Sequence, residues 1–280
     1  MSEQPASGRK LPEYTKPPVS EVALSVAFEP LEGYTAAHAG LFWSEVSNRF
    51  PKVEEHPPIE IPIENDALGP APEPKLELLT AFPRPRLWFL TDAKDEILQV
   101  QAEGFFRNWR QVTGQEAYPR YEKLAASFVQ DFQKFEQFVD KTSLGSIAPT
   151  RCEVVYVNHI LSGDGWTQFG EMHKVIAGCA PLRQDTFLTT PEECRYAAKF
   201  PIRDPKSGQF LGRLSCAASP AFRRSDRRPL ISLILTARGK PLGAGLQGVT
   251  DFFALAHEWI VQGFTDLTTA EMHKVWGRTR

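Results

Sequence analysis

No stretch of the chain approaches the roughly 18 uninterrupted apolar residues that a membrane-spanning helix needs. The opening MSEQPASGRKLPEYTKPP is polar and lacks the apolar core of a secretory signal. Ser2 stands where myristoylation requires glycine, and the closing Gly277-Arg278-Thr279-Arg280 carries no prenylation cysteine. Cysteine is scarce too: Cys152, Cys179, Cys194 and Cys216 form no C-x-x-C pair and no dense spacing, so neither a disulfide framework nor a structural zinc site is expected. A cytoplasmic protein with no membrane partner follows. An excess of one charge is also missing, with Lys plus Arg at 32 against Asp plus Glu at 34 and a net charge of -2. That balance gives no support to wholesale polyanion binding, although it is compatible with a local basic patch.

The usual catalytic signatures are absent as well. There is no G-x-S-x-G elbow and no Walker A sequence, and His257-Glu258-Trp259-Ile260-Val261 places valine where H-E-x-x-H needs its second histidine. Gly243-Ala244-Gly245-Leu246-Gln247-Gly248 does match G-x-G-x-x-G, but the residues after it read as helix followed by helix. With no second strand to complete a βαβ unit, the glycines read as a strand-to-helix connector. No metal and no cofactor are expected, and the chain leans away from being an enzyme.

What the sequence does hold is enough apolar matter for a large core. Hydrophobic residues make up 42% and charged residues 24% of 280 residues, which excludes disordered and fibrous classes. After a polar lead-in over 1–18, Val22, Leu24, Val26 and Phe28 alternate with polar or small residues as in a half-buried strand. Thr35 can cap a helix with an apolar stripe of Ala39, Phe42, Trp43, Val46 and Phe50. Between Pro51 and Pro85 lie nine of the 23 prolines, so that stretch is expected to be irregular or edge strand. Short antiparallel strands are predicted over 75–82, 86–91, 96–103 and 105–110. A long helix follows, with Pro119 suited to its first position and Leu124, Phe128, Phe132, Phe135 and Val139 on one face.

The same order then recurs. A strand is predicted over 152–161, a short helix over 166–177, strands over 194–202, 210–217 and 230–237, and a long helix bearing Phe252, Ala256, Ile260 and Phe264. Thr268-Thr269-Ala270-Glu271 suggests a separate last helix from Thr269. Pro17-Pro18-Val19-Ser20-Glu21-Val22 aligns with Pro149-Thr150-Arg151-Cys152-Glu153-Val154 at a shift of 132 residues, as from Glu21 to Glu153. The expected fold is therefore α+β, two duplicated β-α-(antiparallel β-meander)-α halves over 19–145 and 146–280, forming curved antiparallel sheet with helices on one face. This resembles the TATA-binding-protein-like architecture in element order, which does not carry DNA binding with it.

Four pieces, Pro17-Pro18-x-x-Glu21-Val22, Asn108-Trp109, Tyr118-Pro119-x-Tyr121 and Cys152-Glu153-Val154-Val155-Tyr156-Val157-Asn158-His159-Ile160, together resemble a family of bacterial proteins of sporadic distribution that is defined by sequence pattern. The resemblance implies the whole-chain architecture and no activity, cofactor or catalytic residue. Its sporadic occurrence points to an accessory role in a mobile or defence-related bacterial system.

Two groups of candidate site residues remain. Glu153, Tyr156, Asn158 and His159 gather polar chemistry on one strand and would line a ligand pocket. Glu153 and His159 share a face but stand about 20 Å apart at roughly 3.3 Å per residue, too far for a dyad. Asn158 falls with Val154, Tyr156 and Ile160 on the core side, where a buried amide must be hydrogen-bonded. Arg223, Arg224, Arg227 and Arg228 form a predicted hairpin tip that could neutralise phosphates, while Trp109 beside Phe105 reads as core. The leading expectation is a non-enzymatic module with a protein partner. Nucleic-acid binding through the arginines is the alternative, and a small-molecule site or unrecognised hydrolase near Tyr156, Asn158 and His159 is the third reading.

Overall fold

The computed structural model describes residues 10–67, 69, 85–181 and 187–280. At its centre β1 (Val19–Phe28) pairs antiparallel with β6 (Pro149–Leu161). On one side the sheet continues through β5 (Gly104–Arg110), β4 (Glu96–Gln101), β3 (Arg86–Leu90) and β2 (Lys52–His56). On the other it continues through β9 (Pro229–Gly239), β8 (Phe210–Phe222) and β7 (Tyr196–Arg203), giving nine antiparallel strands in one sheet among the described residues. The segment predicted as a strand over 75–82 lies outside the described residues. No helix among the described residues is long and apolar enough to cross a membrane.

Both halves obey one connection rule. The first strand of each half pairs with the last strand of its own meander, β1 with β5 and β6 with β9, and that last strand leads to the long helix. A twofold axis between antiparallel strands must pass between a residue and its own image. The shift of 132 residues carries Ala23 onto Val155, and these two face each other across the β1–β6 pair. On either side Val22 faces Tyr156 and Leu24 faces Val154. Helices α1 (Ala36–Val46), α2 (Tyr121–Lys141) and α3 (Gly245–Leu267) all pack on the face that carries Val22, Leu24, Val154 and Tyr156, within one core. There Phe128 of α2 meets Phe253 of α3 edge-on at 4.9 Å.

Local expectations hold with a few corrections. Thr35 caps α1 together with the His38 side chain. Pro119 does not open α2, because Arg120, at φ 73°, holds the left-handed turn before it and the helix starts at Tyr121. The helix expected over 166–177 shortens to a 3-10 segment, Phe169–Lys174. The proline-rich connection yields β2, an edge strand, where a proline-free KVEEH can pair on one side only. Thr269 caps the last helix, α4 (Ala270–Val275), accepting a bond from the Met272 backbone N–H.

The first half hides a charged cluster under its helices. Arg107 of β5 points to the core side beside the buried Phe105 and Trp109. It donates to Asp131 of α2 at 2.9 Å and to Glu96 at 2.5 Å, and Arg49 bonds the same two carboxylates at 3.2 and 2.6 Å. Two cations thus meet two anions. Burial pushes the Glu96 carboxyl up, but Arg107 and Arg49 outweigh it and hold Glu96 below its ordinary value. Replacing Asp131 by alanine leaves the buried Arg107 with Glu96 as its one carboxylate and its Nε–H without a partner, so a loss of about 3 kcal/mol is expected. Lys141→Ala, which breaks an exposed pair with Glu45, should cost under about 1 kcal/mol. Urea unfolding of the two variants measures the contrast, and equal losses would contradict it.

Candidate functional site: the outer face of the sheet

Alternation along β6 divides the predicted pocket residues between two faces. Tyr156 and Asn158 point inward and are buried, whereas Glu153 and His159 point outward. The four do not form one pocket. Asn158 is satisfied within the sheet, donating through Nδ2 to the Leu233 carbonyl at 3.1 Å. His159 is exposed on the outer face, where partial desolvation lowers its imidazole, and its backbone N–H donates to the Pro18 carbonyl at 2.9 Å.

Tyr156 instead joins two helical segments. Its hydroxyl lies 2.9 Å from the Tyr118 hydroxyl and 3.0 Å from Nδ1 of His257, whose ring stacks on Tyr121 at 3.9 Å. Burial raises the Tyr156 phenol well above its ordinary value and lowers His257 to about 3. A neutral imidazole and neutral phenols make this chain a hydrogen-bonded tie between β6, the lead-in to α2, and α3. Burial likewise raises the Cys152 thiol and pushes that of Cys216 up to about 12, so neither is a ready nucleophile. Among the described residues no group of three or more His, Cys, Asp or Glu side chains could hold a metal.

The glycine-rich turn is likewise accounted for by packing. A Cβ on Gly248 would lie 2.0 Å from the Gly243 carbonyl oxygen, so the turn is folded against its own helix. The hairpin arginines are partly spent on local contacts. Arg223 is bidentate to Asp226, Arg228 donates to the Ser162 carbonyl at 3.0 Å, and Arg227 lies 5.3 Å from the Phe222 ring centroid. Arg224 is exposed.

The polar chemistry that tertiary structure does assemble lies elsewhere, under the proline-rich connection after β2. Residues 57–67 cross the outer face from the β2 edge towards the β7 edge. Gln101 of β4 grips the backbone of Ile59 at both ends, accepting from its N–H at 3.1 Å and donating to its carbonyl at 2.6 Å. Ile61, 2% exposed, then packs against Ala27 and Phe106. Glu64 takes Arg213 of β8 on one oxygen and Arg238 of β9 on the other, each at 3.0 Å. Arg213 also donates to the Asn65 carbonyl at 2.6 Å, and Asp66 pairs with Arg203 of β7. Arg238 closes the group by pairing with Glu153, which is the true setting of that residue.

Reach explains why this strap is extended. Eight interstrand gaps of about 4.8 Å span about 38 Å, while the chain from His56 to Asp66 extends at most to about 35 Å. Only a nearly straight segment, helped by long arginine side chains, bridges that width. Pro57, Pro58 and Pro62 favour such a conformation by fixing φ. Beside the strap a cleft of about 320 Å³ is lined by Arg151, Glu29, Glu60, Glu103, Phe28 and Ile61, among others. It is remote from Tyr156 and Asn158, which point to the opposite side of the sheet.

Beyond the strap, the outer face is open among the described residues of β6, β8 and β9, whereas Ser25, Ile97, Gln99 and Asn108 on the same face of the first half are buried. Ile234 is 37% exposed, Ala217 is exposed, and Val155, Val157, Thr236 and Ser215 are half-buried. Comparison of the chain with known protein families, with curated proteins and with solved structures finds no match.

The neutral state of His257 sets a pH dependence. Unfolding releases an imidazole that binds a proton below its ordinary value of 6.5, whereas the folded protein binds one only near 3. This contribution to stability is therefore complete above about pH 6.5 and declines as pH falls towards 3. The unfolding midpoint of the wild type should drop more between about pH 6.5 and about pH 4 than that of His257→Gln. Parallel curves for the two proteins would show that His257 is not held neutral.

Proposed function

We propose that this chain is a non-enzymatic interaction module that receives a polypeptide partner on the outer face of its sheet. The observation that carries this reading is the strap: an extended segment of polypeptide already lies across that face, held chiefly by side chains of the strands beneath it. Next to it lies an open patch of branched and small side chains around Ile234, of the kind a second surface can cover without burying unpaired charge.

Strand addition at the sheet edges has less support. Lys199, Pro201 and Arg203 line β7, and Lys52, Glu54 and Glu55 lie along β2, which are common means of discouraging edge pairing. Nucleic-acid binding by the hairpin has less support as well, since Arg223 and Arg228 already answer to Asp226 and Ser162. The family resemblance adds a context, an accessory role in a mobile or defence-related bacterial system. The common register of the β1–β6 pair and the shared connection rule support descent of the two halves by duplication.

A photo-crosslinking residue placed at Ile234 should capture one stoichiometric protein from the source cell, and the same residue at Leu41, exposed on α1, should not. Ile234→Asp, at a surface position, should leave the unfolding midpoint nearly unchanged and abolish co-purification of that protein. Capture of nothing at Ile234, or equal capture at Leu41, would remove the reading.

A further inference from the structure

We infer that the arginine group on the outer face, Arg213, Arg238 and Arg203, is a recognition site for an extended acidic peptide, and that the chain's own strap is its resident occupant. This rests on the interaction-module reading above and names the chemistry of the partner. Within the strap the contacts have a fixed spacing. Ile61 fills the hollow between Ala27 and Phe106, Glu64 three residues later bridges Arg213 and Arg238, and Asp66 two residues beyond reaches Arg203. A branched apolar side chain followed by carboxylates at the third and fifth positions therefore fits this face when extended.

The charge arrangement favours an anionic occupant over any other. Arg213 belongs to the outer face yet only 4% of its side chain is exposed, and the strap supplies its remaining partners, the Glu64 carboxylate and the carbonyls of Asn65 and Asp66. Without an occupant there, Arg238 would keep Glu153, but Arg213 would have no carboxylate among the contacts it now makes. An arginine so placed demands an acidic chain above it. The strap's other side chains hold on weakly by comparison. Ile59 and Ile63 are 40% and 62% exposed, and Pro62 and Asn65 face solvent. Ile61, Glu64, the Asp66 ion pair, the two carbonyls that Arg213 bonds and the grip of Gln101 on Ile59 are what hold the strap, so a partner carrying the same anchors competes against a small set of contacts. Tethering gives the strap a high effective concentration, which keeps the site occupied until such a partner arrives.

The probe is a fluorescent peptide of residues 57–67, PPIEIPIENDA, added to the full-length chain. Wild-type protein should bind it weakly. A double variant, Glu64→Gln with Asp66→Asn, removes the resident carboxylates and should bind at least tenfold more tightly, with affinity falling as salt rises. Arg238→Gln added to the double variant should abolish the gain, and a peptide with glutamine and asparagine at its two last acidic positions should not bind. Should the double variant fold poorly, Ile61→Ser removes one anchor of the strap while leaving its carboxylates in place, and it should bind the peptide more tightly than wild type but less tightly than the double variant.

Equal weak binding by wild type and variants would overturn the inference. So would a variant that only loses thermal stability, with no recovery on adding the peptide, because the strap would then be a purely structural brace. A wild-type dimer that grows with concentration and that the peptide dissociates would assign the site to the strap of a second copy, and would also overturn it. Crosslinking at Ile234 is independent of these results. If capture there succeeds while the peptide fails, only the inference falls; if both fail, the interaction reading falls with it.

Discussion

Everything in this fold is placed by the pairing of β1 with β6. Because side chains alternate along a strand, a slip of one residue in that pair would carry Val22, Leu24, Val154 and Tyr156 to the other face. The helices would then lose the surface on which they pack. The pair also holds Ala23 opposite Val155, so that each half-sheet grows outward in the same manner, through β5 on one side and β9 on the other. One register thus decides which side chains meet the helices and which meet the strap.

The two faces solve different problems with similar chemistry. On the helix side, Arg107, Arg49, Glu96 and Asp131 neutralise one another beneath a core of aromatic rings. That cluster ties β5 to α2 within the first half. On the outer side, Glu64 links the first half to Arg213 and Arg238 of the second, and Asp66 reaches Arg203 at the far edge. Buried ion pairs contribute little net stability compared with apolar packing, because desolvation offsets their attraction. Their effect is selectivity: each arginine accepts a carboxylate in one position and penalises its absence. On the inner face this fixes how α2 sits on the sheet. On the outer face it fixes what may lie across the sheet.

Much of the fold was legible in the sequence because its signals are local. The alternation of Val22, Leu24, Val26 and Phe28, the helical spacing from Leu124 to Val139 and the cap at Thr35 each report a near neighbourhood, and all three elements form as expected. The inward direction of Asn158 was likewise fixed by its parity with Val154, and its need for a partner followed from burial. Parity also separated Glu153 and His159 from Tyr156 and Asn158, which is why the four could not share a pocket.

The sequence by itself determined which apolar residues would be buried, where the long helices and most of the strands run, and that no familiar catalytic motif is present. Only the tertiary structure decided which distant polar groups would meet. Tyr156 finds His257 across 101 positions of chain, and Glu64 finds Arg238 across 174. Neither pairing leaves a periodic trace, because periodicity records the face on which a side chain lies and says nothing of what is laid against that face. The strap was visible only as a run of prolines, which predicts irregular structure or an edge strand. Its path across the sheet depends on the sheet's width and on the placement of Arg213 and Arg238, and those exist only once all nine strands have paired.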